Sequence, residues 1–293
     1  MTAPLPNDPP DWWPNAAHSR FVAVDGLRVH VQRVGEGPLL CCLHGTGAGT
    51  FSFAPLVDCL RRQFTCLLID LPGHAFTTTL PGAPPPDLSL PGVARTVGAV
   101  LRALEQRPIG LIGHSAGAAV GWQLLATAPE AATALLGVNA ALVPPPALYE
   151  WLGAWWMAPL AMQPLVARAL TQLARSPGTI ASTLAETGST VPPELLRCYE
   201  ACAATPRHVQ GALSLMARWE LRALLERVRG RPWPVHLIHG ADDPWVRLDQ
   251  LRRAVHAIAG VTIDVVPGGH LVHEASPELV AARVRALWGG RRP

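Results

Sequence analysis

The length, composition and charge of the chain limit both its architecture and its partners. It has 293 residues, of which 49% are hydrophobic and 15% are charged, so we expect one large α/β domain or one domain with an insertion, and no global disorder. The formal net charge is only +3, and no basic run is dense enough to indicate nucleic-acid binding. All 24 basic residues are arginine, which excludes lysine Schiff-base chemistry and a P-loop lysine.

The cysteines and the N-terminal segment predict a cytoplasmic protein. Most of the six cysteines lie in or beside apolar strand-like runs, which favours buried thiols in a reducing compartment over disulfides. Residues 1–15 lack the basic and apolar regions of a signal peptide, and no uncharged apolar run of about 18 residues predicts a transmembrane segment. Residues 1–19 are rich in proline, so we expect a flexible arm there.

Hydrophobic patterns predict an α/β sheet when the chain is followed from its start. Residues 21–35 alternate around Asp25-Gly26, which predicts an antiparallel hairpin. The patterns then predict buried strands at 38–45, 64–74, 109–113, 133–141, 234–240 and 261–268, and helices at 53–62, 93–104, 116–128, 247–259 and 277–288. Strands and helices that alternate in this way indicate a mostly parallel, doubly wound sheet, with the hairpin at one edge.

The alternation stops between residues 143 and 230, where helical patterns and prolines occur without a strand. This interval predicts a helical cap inserted into a core domain of residues 1–142 and 231–293. Most of its tryptophan and methionine side chains should pack against the core, but a lid lined by them would also suit a large, flat, apolar ligand. We therefore predict substrate contacts for Trp155, Trp156 and Trp219. Solvated helix faces are the commoner explanation for the cap arginines, although they could also pair with ligand carboxylates.

The segment Gly113-His114-Ser115-Ala116-Gly117 lies between a predicted strand and a predicted helix, which is typical of a nucleophile elbow. Small neighbours permit the tight turn that exposes the Ser115 hydroxyl at a helix N-terminus, where backbone amides stabilise negative charge. The alternative is a small-residue turn without chemistry. We also predict that His114 contacts the substrate.

A serine nucleophile needs a base and an acid that orients the base. His270 directly follows the last predicted strand and is the favoured base, while His273 is the competitor and fits a structural role better. Asp243 follows the preceding strand and is favoured over Asp242 as the acid. The loop after the fourth buried strand offers only Asn139, which excludes the other common position of the acid.

Two backbone amides would complete an oxyanion hole. One belongs to Ala116, and the other to Thr46 in the glycine-rich loop that follows the first buried strand. That loop lacks the glycine spacing of a nucleotide-binding motif, and the histidines do not form a metal-ligand pattern. We therefore expect neither a cofactor nor a metal.

These motifs and the order Ser, Asp, His resemble the α/β-hydrolase superfamily over nearly the whole chain. A narrower resemblance rests on stretches such as "LLCCLHGTGAGT", "DLPGHAFTT", "GHSAGAA" and, in the cap, "HVQGALSLMARWEL". These stretches are similar to the magnesium chelatase accessory protein (BchO) family of bacteriochlorophyll biosynthesis. The resemblance implies a role beside magnesium insertion into protoporphyrin, with a tetrapyrrole as the small-molecule substrate and magnesium chelatase as a partner.

Three functional hypotheses follow. The leading one is a serine hydrolase that acts on an ester or acyl group in tetrapyrrole biosynthesis. The second is a porphyrin-binding or chelatase-docking accessory protein without turnover. The third is a general carboxylesterase or lactonase. A dehalogenase or an epoxide hydrolase is disfavoured, because those enzymes need aspartate where Ser115 stands.

Overall fold

The computed structural model describes residues 3–143, 163–230 and 232–290. Its strands are β1 (Ser19–Val24), β2 (Leu27–Gly35), β3 (Leu39–Leu43), β4 (Thr65–Ile69), β5 (Thr78–Thr79), β6 (Gly110–His114), β7 (Leu135–Val138), β8 (Val235–Gly240) and β9 (Val261–Val266). Its α-helices are α1 (Ala54–Leu60), α2 (Leu90–Ala103), α3 (Ala116–Thr127), α4 (Pro164–Ala174), α5 (Thr179–Ala185), α6 (Pro193–Ala203), α7 (Pro206–Ala217), α8 (Arg222–Val228), α9 (Leu248–Val255), α10 (Val272–Ala275) and α11 (Pro277–Trp288).

The strands of the described ranges form one sheet in the order β1-β2-β4-β3-β6-β7-β8-β9, and β5 pairs with β2. The predicted hairpin is confirmed: β1 and β2 are antiparallel, and the turn at Asp25 and Gly26 has positive φ angles of 49° and 75°. Strands β3, β4, β6, β7, β8 and β9 run parallel, as expected. The short strand β5 and the short helix α10 were not expected.

The central strands are covered on both faces, which explains their continuous apolar runs. Every residue of β3, β4, β6 and β7 is buried. One face packs against α2 and α3 through side chains such as Val97 and Trp122, and the other packs against α1 and α11 through Leu56 and Trp288. The carboxyl ends of the parallel strands therefore meet at one edge, where the loops carry the candidate site residues.

Between β7 and β8 the described residues form five helices, α4 to α8, and contain no strand. We call these the cap helices. Their helical character agrees with the sequence pattern. The division into a core domain (1–142 and 231–293) and a cap domain (143–230) stays a prediction, since part of the segment lies outside the described residues.

The N-terminal arm is packed against the protein, so the prediction of a flexible arm over residues 1–19 is wrong for its described part. Trp13 is 1% exposed and lies edge-on to Phe51 and Phe76, with ring centroids 5.1 and 4.7 Å away. Its indole N–H donates to Thr50 Oγ1. The Leu5 amide donates to Oγ1 of a threonine at the start of α7, at 2.7 Å. The prolines correctly indicate irregular backbone, but the buried side chains of Leu5 and Trp13 hold the arm against the protein.

Candidate functional site

Ser115 occupies a strained turn between β6 and α3. Its φ and ψ angles are 49° and −115°, a conformation that costs a non-glycine residue about 1–3 kcal/mol. The surrounding structure holds it there, because the Ser115 amide donates to the carbonyl of Val138 and the Ser115 carbonyl accepts from the amide of Ala141. This is the elbow geometry that the sequence predicts.

This turn requires glycine at two neighbouring positions, because other backbone atoms pack too closely there to leave room for a side chain. A Cβ at Gly113 would lie 2.5 Å from the Ala118 nitrogen, and a Cβ at Gly117 would collide with the Leu43 carbonyl. Because α3 begins so close to the end of β6, Ser115 is presented beyond the strand ends rather than within the sheet.

His270 and Asp243 form a buried pair beside this turn. His270 Nδ1 lies 2.8 Å from Asp243 Oδ2, while Asp243 Oδ1 accepts from the amides of Trp245 and Val246. Burial by itself would raise the pKa of Asp243, but hydrogen bonding and charge from His270, together with these other donors, lower it. Because an ionised carboxylate only accepts, Nδ1 of His270 is the donor in this bond, and in the neutral ring Nε2 is then the acceptor.

Asn139, which follows β7, has a role that the sequence did not predict. Its Nδ2 donates to Asp243 Oδ2 at 2.6 Å, and its own φ angle is 46°. From the sequence, this position is predicted only not to hold the acid. Asn139 directly follows the end of β7, and this position in the sequence could have indicated that its side chain faces the site.

The competing candidates, Asp242 and His273, have different surroundings. Asp242 is exposed. His273 is fully buried, with Nε2 2.8 Å from the hydroxyl of Ser52, and burial lowers its pKa to about 3. Ser52 also donates to Glu274, which in turn accepts from the hydroxyl of Tyr199 on α6. His273 therefore belongs to a buried polar network that joins the core to a cap helix.

The candidate oxyanion loop, residues 44–50, lies against the elbow. A Cβ at Gly45 would come within 3.1 Å of Ser115 Cβ. The Gly45 carbonyl accepts from Nδ1 of His44 and from the amide of Ala48. Since the peptide group is planar, fixing the Gly45 carbonyl also fixes the direction of the Thr46 N–H.

A cavity of about 400 Å³ connects these groups. Thr46, Ser115, Ala116 and His270 line its core side. Its cap side is lined mainly by apolar residues, which include Ile180, Leu184, Val209, Leu213, Met216 and Trp219, and also by the polar residues Thr183, Thr187, Tyr199 and His208. Among the described residues, no arginine, aspartate or glutamate lines it.

The predicted substrate contacts divide into two groups. His114 and Trp219 line the cavity. The His114 ring also bonds the His270 carbonyl through Nε2, at 3.0 Å. Trp155 and Trp156 lie outside the described residues. Sequence analysis did not single out Trp245, whose ring centroid is 5.2 Å from that of His270.

Within the residues the structure covers, no group of three or more histidine, cysteine, aspartate or glutamate side chains is arranged to hold a metal ion. In the same ranges, no helix is both long enough and apolar enough to cross a lipid bilayer.

A family model described as the alpha/beta hydrolase fold matches residues 38–277. The chain belongs to the α/β-hydrolase fold family. Among solved structures, a hydrolase from Pseudomonas aeruginosa PA01 superposes on this hydrolase with a TM-score of 0.70 at 24% identity, over 94% of this chain and 100% of the other. That likeness supports the fold.

Two curated relatives share more sequence with this hydrolase. The magnesium-chelatase 30 kDa subunit of Rhodobacter capsulatus is 31% identical over 243 residues, which are 83% of this chain and 84% of the relative. A pimeloyl-[acyl-carrier protein] methyl ester esterase of Xylella fastidiosa (strain M12) is 33% identical over 102 residues, which are 35% of this chain and 36% of the relative. The similarity to the first of these relatives thus covers most of the chain.

Proposed function

We propose that this hydrolase cleaves a carboxylic ester, with Ser115 as the nucleophile, His270 as the base and Asp243 as the residue that orients the base. One observation carries the proposal: Ser115 and His270 line the same cavity, and His270 Nδ1 bonds the Asp243 carboxylate at 2.8 Å. A serine hydroxyl is a weak nucleophile unless such an oriented base accepts its proton.

In the first half-reaction, Ser115 Oγ attacks the acyl carbon while His270 Nε2 takes the hydroxyl proton. The amides of Thr46 and Ala116 hold the negative oxygen of the tetrahedral intermediate. The intermediate collapses when the bond to the leaving oxygen breaks, and His270 returns the proton to that oxygen. An alcohol leaves, and the acyl group stays on Ser115.

Water completes the reaction. His270 removes a proton from water as its oxygen attacks the acyl carbon of the acyl-enzyme. The second tetrahedral intermediate uses the same two amides. Its collapse breaks the bond to Ser115 Oγ, His270 returns the proton to Ser115, and a carboxylic acid is released.

Labelling with a fluorophosphonate probe tests the nucleophile. The wild-type protein and Ser182→Ala, which changes an exposed serine of α5, are expected to form a covalent adduct. Ser115→Ala is expected to remain unlabelled while its circular dichroism spectrum stays native. Absence of wild-type labelling, or labelling that persists in folded Ser115→Ala, would refute the proposal.

We further propose that the process served is magnesium insertion in bacteriochlorophyll biosynthesis. The support is the relative named as a magnesium-chelatase subunit, which is similar over 83% of the chain. Complementation of a pigment-deficient deletion strain with the wild type and with Ser115→Ala tests this role, read by which tetrapyrrole accumulates. Restoration by the wild type alone would link the role to ester cleavage.

A second candidate function is porphyrin binding without turnover. Its support is the apolar lining that the cap contributes to the cavity, including Met216 and Trp219, together with the same relative. Quenching of tryptophan fluorescence by protoporphyrin that persists in Ser115→Ala, with restored pigment synthesis in cells carrying that variant, would favour this function.

A general carboxylesterase or lactonase is the third candidate. The esterase relative supports it over about a third of the chain. Rapid turnover of many small esters and lactones, with no effect of deletion on pigment synthesis, would favour it over both other functions.

A further inference from the structure

His208, on the cap helix α7, is bonded to two loops of the core. Its Nδ1 accepts from the Ala75 amide at 2.9 Å, and its Nε2 donates to the Gly47 carbonyl at 3.1 Å. The side chain is buried, with the residue only 2% exposed. Because one ring nitrogen must accept and the other must donate, these two bonds select the neutral tautomer with its proton on Nε2.

Close backbone packing sets the position of the helix that carries this ring. A Cβ at Gly211, one turn after His208, would collide with the Gly73 carbonyl, and Gly73 itself has a φ angle of 78°. Arg207 adds hydrogen bonds to the carbonyls of Ala75 and Pro6. The ring therefore reaches Gly47 from a helix that is seated directly on the loop after β4.

Among the glycines of the oxyanion loop, Gly45, Gly47 and Gly49, Gly47 is the one that packing restrains least. Its φ angle is 77°, and a Cβ placed on it would meet no atom within 4 Å. Its neighbour Thr46 would supply one of the two oxyanion amides. The Gly47 carbonyl shares its planar peptide group with the Ala48 N–H, which donates to the Gly45 carbonyl, and the Gly45 carbonyl shares its peptide group with the Thr46 N–H. A hydrogen bond from His208 to the Gly47 carbonyl thus restrains the oxyanion loop two peptide groups after the Thr46 N–H.

We propose that His208 is a positioning residue, through which the cap helix α7 holds the oxyanion loop in its productive conformation. This inference rests on the proposed ester hydrolysis. Its consequence is that the oxyanion hole is complete only when α7 is seated on the core. Burial lowers the pKa of His208 to about 4, so the ring stays neutral, as its two bonds require, at any pH well above that value.

A pair of matched variants separates the bond to Gly47 from the packing of the ring. In His208→Asn, the amide oxygen takes the place of Nδ1 and keeps the bond to Ala75, but nothing replaces Nε2. In His208→Gln, the amide nitrogen reaches the place of Nε2 and restores the donor to Gly47. The rate of fluorophosphonate labelling, kcat and KM for p-nitrophenyl butyrate, and hydrogen exchange of the peptide 44–53 are measured for both.

His208→Asn is expected to lower kcat and the labelling rate about tenfold, less than the loss of a direct oxyanion donor, while KM changes little and His208→Gln stays within about threefold of the wild type. Exchange in residues 44–53 should be faster in His208→Asn only. Unchanged rates and exchange in His208→Asn would overturn the inference. Equal losses in both variants would also overturn it, because they indicate a packing role.

Two outcomes keep this inference separate from the proposed function. If the wild type does not react with the probe or the ester, the proposed function fails, and the exchange comparison still decides whether His208 holds the loop. If His208→Asn does not fold, ¹⁵N NMR of wild-type histidines at pH 7 decides. A proton on Nε2 of His208 is expected, and a proton on Nδ1 or a charged ring would refute the contact.

Discussion

Glu274 is expected to make this hydrolase less stable as the pH rises from 5 to 8. The carboxyl group is buried, and its Oε1 accepts from the hydroxyls of Ser52 and Tyr199. Its Oε2 has no hydrogen-bond partner. Burial outweighs the two hydrogen bonds and raises the pKa of Glu274 from 4.5 to about 7.

The free energy of unfolding changes with pH because the folded and unfolded protein bind different numbers of protons. Between pH 4.5 and 7, the folded protein keeps a proton on Glu274 that the unfolded chain has released, so the free energy of unfolding falls as the pH rises. The contribution is complete below pH 4.5 and is lost above pH 7. A pKa difference of 7 − 4.5 = 2.5 corresponds to about 3 kcal/mol, of which about 2 to 3 kcal/mol is lost between pH 5 and pH 8.

The variant Glu274→Gln isolates this contribution. Glutamine keeps the oxygen that accepts from Ser52 and Tyr199 but does not ionise, so any cost of its buried amide nitrogen is the same at every pH. Urea unfolding at pH 5, 6.5 and 8 gives the stability of the variant minus that of the wild type, and this difference is expected to rise by about 2 to 3 kcal/mol. Buried histidines such as His273 also change the stability with pH, because their contribution is lost as the pH falls. This contribution is the same in the variant and the wild type, so it cancels in the difference.

The exposed Glu278 provides the matched control. For Glu278→Gln, the same difference should stay within about 0.5 kcal/mol across the pH range. If the difference for Glu274→Gln is flat, or falls as the pH rises, then Glu274 is ionised in the folded protein at pH 5 and the reasoning from burial is wrong.

Three further predictions concern the site and the N-terminal arm. Asp243→Asn should lower kcat/KM for p-nitrophenyl butyrate about 10³- to 10⁴-fold, because His270 loses its oriented tautomer, whereas Asp242→Asn should leave it unchanged; equal losses would contradict the assignment. Trp13→Ala should lower the free energy of unfolding, measured in urea, by about 3 to 5 kcal/mol. Trp12 is more exposed, so Trp12→Ala should lower it by less than about 1 kcal/mol. Equal effects would show that the arm is not packed. Asn139→Ala should raise the pKa of Asp243, seen by ¹³C NMR titration of the carboxylate, since it removes a donor to the ionised form; an unchanged titration would remove Asn139 from the site.

Much of the fold could be predicted because its signals are local. A strand buried on both faces shows as an apolar run, and the glycines around Ser115 reflect a turn too tight for other side chains. The hairpin at Asp25 and Gly26 is predicted for the same reason. Ser115, Asp243 and His270 could be proposed because each follows a strand, and parallel strands bring their carboxyl ends to one edge.

The contacts that sequence analysis missed depend on surfaces formed by distant parts of the chain. The pocket for Trp13 is made by Phe51 and Phe76, so the proline-rich composition around it indicates a loop but not its burial. The bond from His208 to Gly47 spans 161 positions, and it exists only once α7 is seated on the core. Patterns along the chain carry no information about such pairings.

The lack of charged side chains among the described residues that line the cavity has a consequence for the direction of turnover. A neutral ester can enter this apolar space without giving up strong hydration. The carboxylic acid formed from it ionises near pH 4 to 5. Apart from the oxyanion amides and His270, the described lining offers its carboxylate no charged partner, and a carboxylate is costly to keep in largely apolar surroundings. In the proposed reaction, hydrolysis therefore converts an ester that binds well in the cavity into a carboxylate that binds weakly there. The released acid should be a weak inhibitor, and the pocket should empty without a separate device to expel its product.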